Sequence, residues 1–246
     1  MPIRGVLFDV DDTLFDYSAS DAAGLLAQLR QDGTLDRFPD PAAAVELWSG
    51  ITETEYPRFV RGELSFTGQR LARARALLSH VWRVDPADIA EVDAIAWFDG
   101  YTAHRRAAWA AFPDAAPLLA TLAPEFRLGI VSNAAVPPQR RKLEAVGLLS
   151  YFGDRVVCSE EHGAGKPDAS IFHAGCALLE LDPDEVAYVG DRYTVDALGA
   201  HDAGLHACWL DRANLRAGTE VRPGVHVIGS LAELPGTFPG HRIPVA

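Results

Sequence analysis

Short apolar runs alternate with helix-like stretches through the second half of this 246-residue chain. The five runs occupy residues 127–131, 155–158, 186–189, 206–210 and 225–228. Strands that alternate with helices are typical of βαβ units, in which neighbouring strands lie parallel and the connections are right-handed. The alternation therefore predicts an α/β fold built on a mainly parallel sheet.

A sixth apolar run, residues 3–8, opens the chain and ends at a cluster of acidic side chains. Asp9, Asp11 and Asp12 place three carboxylates within four residues. Two unit charges about 4 Å apart repel each other by about 4 kcal/mol at an effective dielectric constant of about 20, so this crowding is costly. A divalent cation is the usual compensation. The pattern predicts that the end of the first strand is functional.

Residues 16–110 differ from the rest of the chain, because they show helical periodicity and no convincing strand. The predicted helices span residues 18–30, 41–60, 67–82 and 86–109. Four of the five tryptophans fall in this stretch, which is typical of a packed core. We therefore predict two domains: a core of residues 1–15 and 111–246, and an all-helical insertion of residues 16–110.

Three further helices are predicted between the strands of the second half. They span residues 137–146, 167–181 and 194–203. The first has proline at its start and Gly147 just past its end, as helices commonly do. From Leu234 onward, the proline and glycine content predicts coil.

Composition limits the partners that this chain can have. Its 22 basic and 34 acidic side chains give a net charge of −12, which disfavours nucleic acid or an anionic membrane as the main partner. No apolar stretch approaches the ~18 residues of a membrane span, and the acidic cluster interrupts any signal-peptide pattern.

Cys158, Cys176 and Cys208 lie far apart, so we expect reduced, buried thiols and a cytoplasmic location. The oligomeric state is unknown from sequence.

Polar residues also follow the other predicted strands. Ser132 and Asn133 end the second strand, Lys166 stands in the loop after the third, and Asp191 and Asp196 follow the fourth. In open α/β sheets, ligands bind outside the carboxyl ends of the strands. Each group alone also fits a turn, a helix cap or an exposed charge. Their joint occurrence in this order predicts one site at that edge of the sheet.

Four short motifs of this chain resemble the four motifs of the haloacid dehalogenase-like (HAD) superfamily. They are Asp9-Val10-Asp11-Asp12-Thr13, Ser132-Asn133, Lys166-Pro167, and Gly190-Asp191 with Asp196. The resemblance covers the whole chain, and the helical insertion resembles the C1-type cap of the first subfamily. It implies a Rossmann-like parallel sheet core and an inserted helical cap that closes to exclude water during the reaction. The motifs specify the superfamily and the reaction type, but not a substrate.

Most members of that superfamily transfer a phosphoryl group through an aspartyl-phosphate. The resemblance implies that Asp9 is the nucleophile, and that Asp11 acts as general acid and then base, which contributes about 10²–10⁴-fold to a rate. It also implies Mg²⁺, which is small and prefers oxygen ligands. The implied ligands are the carboxylates of Asp9 and Asp191 and the backbone carbonyl of Asp11.

The resemblance also assigns the remaining motif residues. Ser132 and Lys166 are expected to hold the transferring phosphoryl oxygens, with Asn133 and backbone amides before the following helix as further donors. Asp196 is expected to orient Lys166, while its direct ligation of the metal stays open. Thr13 is expected to brace the acidic loop through its hydroxyl.

These roles predict a Mg²⁺-dependent phosphatase that acts on a small phosphorylated metabolite. A phosphomutase shares all four motifs and is an alternative. A 2-haloacid dehalogenase would use the same nucleophile on carbon, but Asp11 and the second acidic pair disfavour it. A phospho-acceptor or regulatory binding protein is the non-enzyme alternative, which the retention of every chemical residue disfavours.

By resemblance, substrates include sugar phosphates, phosphoglycolate, nucleoside monophosphates and acylneuraminate phosphates, and the sequence does not choose among them.

Overall fold

A computed structural model describes residues 2–214 and 220–238, without the side chain of Val60. The chain divides into two compact units. One contains the residues up to Tyr17 and those from Ala110 onward, and the other is Ser18–Trp109. No helix in the described ranges is long and apolar enough to cross a membrane.

A six-stranded sheet forms the centre of the first unit. Its strands are Gly5–Phe8 (β1), Arg127–Ser132 (β2), Val156–Cys158 (β3), Val186–Gly190 (β4), His206–Leu210 (β5) and His226–Ile228 (β6). They lie in the order β3-β2-β1-β4-β5-β6, and every neighbouring pair is parallel. All six predicted strands are present, and the predicted α/β fold is confirmed. The reversal of strand order around β1 creates the switch point at which such sheets bind ligands.

Helices make up the rest of the regular structure. The α-helices are Tyr17–Gln31 (α1), Pro41–Val60 (α2), Phe66–Trp82 (α3), Glu91–Ala107 (α4), Ala115–Leu122 (α5), Val136–Ala145 (α6), Leu149–Phe152 (α7), Ser159–His162 (α8), Ala169–Leu179 (α9) and Leu198–Asp202 (α10). The short helices α5, α7 and α8 were not among the predicted elements. They are too short for their apolar periodicity to stand out from the sequence.

The prediction of one helix over residues 86–109 is wrong. The chain forms a 3₁₀ turn at Pro86–Asp88, where the Asp85 side chain accepts from the Ala87 N–H, and α4 starts only at Glu91. Ile89 between them is extended and buries its side chain in the helical core. Burial of an isoleucine outweighs the few backbone hydrogen bonds that a continuous helix would add.

Two other helix predictions and the coil prediction also need correction. The helix predicted over residues 167–181 is α9, which begins after the N-cap residue Asp168. The helix predicted over residues 194–203 starts as a π-helical turn, Tyr193–Ala197, and continues as α10. The predicted coil from Leu234 is partly a 3₁₀ segment, Leu231–Thr237, because the Ser230 side chain caps it. Residues 239–246 of that predicted coil lie outside the described residues.

Each unit has its own hydrophobic core. In the first unit, α9 and α10 pack on the sheet around Leu7, Phe172 and Tyr188. In the helical unit, Trp48 and Trp97 are buried against neighbouring aromatic rings, as predicted for packed tryptophans. The prediction is wrong for Trp82, which is 42% exposed at the end of α3. The three cysteines are free and buried, which confirms the expectation for Cys158, Cys176 and Cys208.

Candidate active site

Asp9 lies directly after β1, at the carboxyl edge of the sheet. Its N–H donates to the Val189 carbonyl of β4 at 2.9 Å, which extends the parallel pairing by one residue. The chain then turns sharply, because the N–H groups of Leu14 and Phe15 both donate to the Val10 carbonyl. Asp12 takes a left-handed conformation in this turn, with φ of 59°. The reversal leaves the Asp9 side chain buried at the base of the loop.

Lys166 connects two of the predicted carboxylates. Its Nζ lies 2.8 Å from Asp9 Oδ1 and 2.6 Å from Asp196 Oδ1. The Tyr188 hydroxyl oxygen is a third acceptor, at 2.8 Å. Burial alone would lower the pKa of Lys166, but the charges of Asp196 and Asp9 outweigh it and raise that pKa. Its neighbours therefore favour the charged ammonium form of this buried side chain.

Asp196 is fully buried, and both of its oxygens are engaged. Oδ1 accepts from Lys166 and lies 3.0 Å from the Tyr188 hydroxyl, while Oδ2 accepts from the Arg192 N–H at 2.9 Å. The π-helical turn that carries Asp196 brings its side chain against Gly190. A Cβ at residue 190 would lie 2.4 Å from Asp196 Cγ, so glycine is needed there. This close contact explains why residue 190 is a glycine.

Asp191 completes an acidic cluster with Asp9 and Asp196. One carboxylate oxygen from each lies within 4.8 Å of the others. Burial, followed by the charge of Asp9, raises the pKa of Asp191 to about 8. Burial likewise raises the pKa of Asp9 to about 6, although Lys166 works against it. Lys166 contacts two of the three carboxylates, so with all three ionised the cluster and its lysine carry two excess negative charges. This oxygen-rich donor set fits a hard divalent cation.

The Asp11 side chain takes a different direction from this cluster. Lys142 of α6 places its Nζ 2.6 Å from Oδ1 and 2.8 Å from Oδ2 of Asp11. Gln139 donates from Nε2 to Asp11 Oδ2 at 3.0 Å. The Asp11 carboxylate is therefore held by α6, outside the three-carboxylate cluster.

Ser132 and Asn133 end β2 on the same edge. Ser132 is buried, and its Oγ accepts from Gln139 Nε2 at 2.9 Å. Asn133 instead holds the loop that carries Lys166: its Oδ1 accepts from the Lys166 N–H at 2.7 Å, and its Nδ2 donates to the Lys166 carbonyl at 2.8 Å. The side-chain amide of Asn133 thus fixes the backbone of Lys166, and its assignment as a phosphate ligand stays a prediction.

Thr13 does not brace its loop in the expected way. The side chain is fully buried, and within the described residues its hydroxyl has no hydrogen-bond partner. The Thr13 carbonyl instead accepts from Arg212 Nη2 at 3.0 Å. Arg212 is in turn fixed by two hydrogen bonds to Asp114, at 2.8 and 2.9 Å. The loop is therefore supported through its backbone, by an arginine from the end of β5.

Sequence reasoning missed Gln139, Lys142 and Tyr188. Two signals were available. Tyr188 is the one residue with a hydroxyl in the otherwise apolar run of β4. Gln139 and Lys142 are three residues apart and therefore share a face of α6, the helix that follows Ser132 and Asn133. Neither signal identifies the contacting partner, which depends on how the helix packs.

Comparisons with known proteins agree with this architecture. A family model described as haloacid dehalogenase-like hydrolase matches residues 3–204. Ribulose-1,5-bisphosphate 5-phosphatase of Halopiger xanaduensis is 31% identical over 238 residues, covering 93% of this chain and 96% of that protein. Glyceraldehyde 3-phosphate phosphatase of Methanopyrus kandleri is 31% identical over 207 residues, covering 82% of each chain. The crystal structure of a HAD-hydrolase of Bacillus subtilis bound to magnesium superposes with a TM-score of 0.74 at 25% identity, covering 96% of this chain and 98% of that one.

Proposed function

Because the chain belongs to the haloacid dehalogenase-like hydrolase family, we propose that it is a Mg²⁺-dependent phosphatase of small phosphomonoesters that works through an aspartyl-phosphate. One observation carries the proposal: the buried carboxylate of Asp9 lies beside the Lys166 ammonium and within 4.8 Å of two further carboxylates. The groups proposed as nucleophile (Asp9), phosphate-binding cation (Lys166) and carboxylate metal ligands (Asp9 and Asp191) thus lie close together. The relatives that are named as phosphatases of phosphorylated sugars support this substrate class.

The metal is proposed to be held by the carboxylates of Asp9 and Asp191 and by the backbone carbonyl of Asp11. When bound, Mg²⁺ supplies positive charge that offsets the charge of the phosphoryl group. Asp196 is a less suitable ligand, because both of its oxygens already accept hydrogen bonds. We therefore propose that Asp196 orients Lys166. The magnesium bound to the related Bacillus subtilis hydrolase supports the choice of metal.

The first half of the proposed reaction takes place at Asp9. A carboxylate oxygen of Asp9 attacks phosphorus, and the bond between phosphorus and the alcohol oxygen of the substrate breaks. Asp11 takes part in this half in its protonated form and gives that proton to the leaving oxygen, so the alcohol departs neutral. The phosphoryl group is then joined to Asp9 as an acyl phosphate. Ser132 and Lys166 donate hydrogen bonds to its oxygens, which spread the developing charge.

The second half releases inorganic phosphate. The Asp11 carboxylate accepts a proton from a water molecule, whose oxygen attacks phosphorus. The bond between phosphorus and the Asp9 oxygen breaks, which restores the Asp9 carboxylate. Asp11 is thereby protonated again for the next cycle, and no further reactant is needed.

The helical insertion, predicted as residues 16–110, is proposed to select the substrate, as a cap does. A cytoplasmic location is proposed because Cys158, Cys176 and Cys208 are unpaired thiols, which persist in a reducing compartment.

A phosphate-release assay tests this function. The protein is treated with EDTA and then assayed with p-nitrophenyl phosphate and a panel of sugar phosphates, with and without MgCl₂. We expect free phosphate only when Mg²⁺ is present, and background turnover from a folded Asp9→Asn variant. Isomerised sugar phosphate would indicate a phosphomutase, and chloride release from 2-chloropropionate would indicate a dehalogenase. Either result, or normal turnover by Asp9→Asn, would overturn the proposal.

A further inference from the structure

We propose that Gln139 and Lys142 are positioning residues. They fix the side chains of Asp11 and Ser132 relative to each other for phosphoryl transfer. The inference rests on the proposed function, because it assumes that Asp11 handles the leaving-group proton. Both residues lie on α6, and neither belongs to the four motifs identified from sequence. Their side chains reach back across the carboxyl edge of the sheet to the loop after β1.

Lys142 holds the Asp11 carboxylate from one side and is itself held from the other. Its ammonium contacts both Asp11 oxygens, and it lies 5.5 Å from the ring centre of Phe15 and 5.1 Å from that of Tyr17. Cations are attracted to aromatic faces at such distances. A lysine otherwise retains several rotamers, but this one has a carboxylate and two rings as fixed partners. It therefore restricts where the Asp11 oxygens can lie.

Gln139 links the two proposed catalytic groups directly. It is completely buried, and its amide nitrogen lies 3.0 Å from Asp11 Oδ2 and 2.9 Å from Ser132 Oγ. The two N–H bonds of the amide are thereby used, one on each partner. Because Ser132 accepts from Gln139, the Ser132 hydroxyl hydrogen remains available for donation to a phosphoryl oxygen.

The other end of the same amide argues against a role in folding alone. Within the described residues, Gln139 Oε1 is buried without a hydrogen-bond partner. Burying such a group without a partner lowers stability, and an apolar side chain would avoid that loss. The unpaired oxygen is therefore a cost that the two hydrogen bonds donated by the same amide must offset. What glutamine supplies here is a pair of N–H donors, one to Asp11 and one to Ser132.

The position of α6 makes this linkage possible. The helix starts four residues after Ser132, and Pro137 and Pro138 occupy its first turn, where proline is compatible with helical geometry. Residues three apart share a helix face, so Gln139 and Lys142 project in the same direction. The exposed neighbour Arg141 lies on another face and provides a matched control.

Leaving-group dependence separates positioning from a structural role. An aryl phosphate such as p-nitrophenyl phosphate releases a stable anion and needs little help from an acid, whereas an alkyl phosphate such as glycerol 3-phosphate needs that help. We expect Lys142→Met to lower kcat for the alkyl ester by about tenfold to a hundredfold, and for the aryl ester by less than about threefold, with KM little changed. Lys142→Arg should restore part of the loss. Gln139→Met should lower kcat for both esters, because it also releases Ser132.

The controls decide between the possible outcomes. Arg141→Met should leave both rates unchanged, and thermal unfolding identifies any variant that fails to fold, in which case Lys142→Gln and Gln139→Glu are compared instead. An alkyl-to-aryl rate ratio that stays at the wild-type value in folded Lys142 variants would overturn the positioning role while leaving the phosphatase intact. A wild-type protein that releases no phosphate from either ester would overturn the proposed function itself.

Discussion

Lys166 Nζ lies 2.8 Å from Asp9 Oδ1, although 157 residues separate them in sequence. Both side chains are buried, so little water screens their attraction. The contact fixes one oxygen of the proposed nucleophile and places a cation where a transferring phosphoryl group would lie. It also makes the site interdependent, because Asp9 and Asp196 both use the same ammonium.

Replacing Lys166 by methionine should therefore destabilise the protein and abolish activity. The substitution leaves Asp9 and Asp196 buried without their cation, and losing one partner of a buried ion pair costs about 3–5 kcal/mol. Urea unfolding in EDTA measures this loss. An unchanged midpoint would show that the carboxylates gain protons or water at little cost, and it would contradict a stabilising role for the buried ion pairs.

Gly190→Ala should displace Asp196 and lower both stability and turnover. The new Cβ would lie 2.4 Å from Asp196 Cγ. Overpacking of this kind typically lowers the free energy of unfolding by about 1–3 kcal/mol. Gly50→Ala is the matched control, because a Cβ there meets nothing within 4 Å and alanine favours the interior of α2 by about 0.5–1 kcal/mol. Thermal unfolding should move in opposite directions for the two variants. A Gly190→Ala protein as stable and active as wild type would contradict the close contact.

Tyr188→Phe should lower stability and kcat moderately while the fold of the site remains intact. The substitution removes a hydroxyl that accepts from Lys166 and lies 3.0 Å from Asp196 Oδ1, while the core packing of the ring against Phe172 remains. One lost hydrogen bond to a charged group costs about 1.5–3 kcal/mol. Denaturant unfolding and kcat measure the effect. A neutral result would mean that the two carboxylates alone position the lysine.

The predictable part of the site lies at the ends of its strands. Apolar runs followed at once by polar residues identified β1, β2 and β4, and parallel pairing then brings Asp9, Ser132 and Asp191 to one edge. Local signals sufficed because strand, edge and direction follow from the pattern of the chain. The resemblance to a known family supplied the proposed roles of these residues.

The unpredicted part depends on how the elements pack. The contact of Lys142 with Asp11 joins residues 131 apart, and nothing local in α6 specifies which loop it faces. The same holds for Asn133, whose side chain holds the Lys166 backbone. The break at Ile89 also depends on packing, since burial of that residue favours an extended backbone over a continuous helix.

The stability of the metal-free protein should fall as the pH rises, and Asp191 should account for part of the fall. An unfolded chain loses the Asp191 proton near pH 4, as a rough value, whereas burial raises the pKa of the folded side chain to about 8. Between these values the folded state binds more protons than the unfolded state, so the free energy of unfolding decreases with pH. This contribution is fully present below about pH 4 and is lost as the pH rises through about 8.

Asp191→Asn isolates that contribution, because the amide has the same shape and no titration. We expect thermal unfolding in EDTA to show a steeper decline between pH 5 and pH 8, both approximate limits, for wild type than for Asp191→Asn. MgCl₂ should raise the wild-type Tm more at the higher pH, since metal binding requires the ionised carboxylate. Asp191→Asn should respond weakly to MgCl₂ at either pH. Parallel pH profiles for the two proteins in EDTA would mean that Asp191 is ionised without cost, and they would remove the electrostatic reason for a cation at this edge of the sheet.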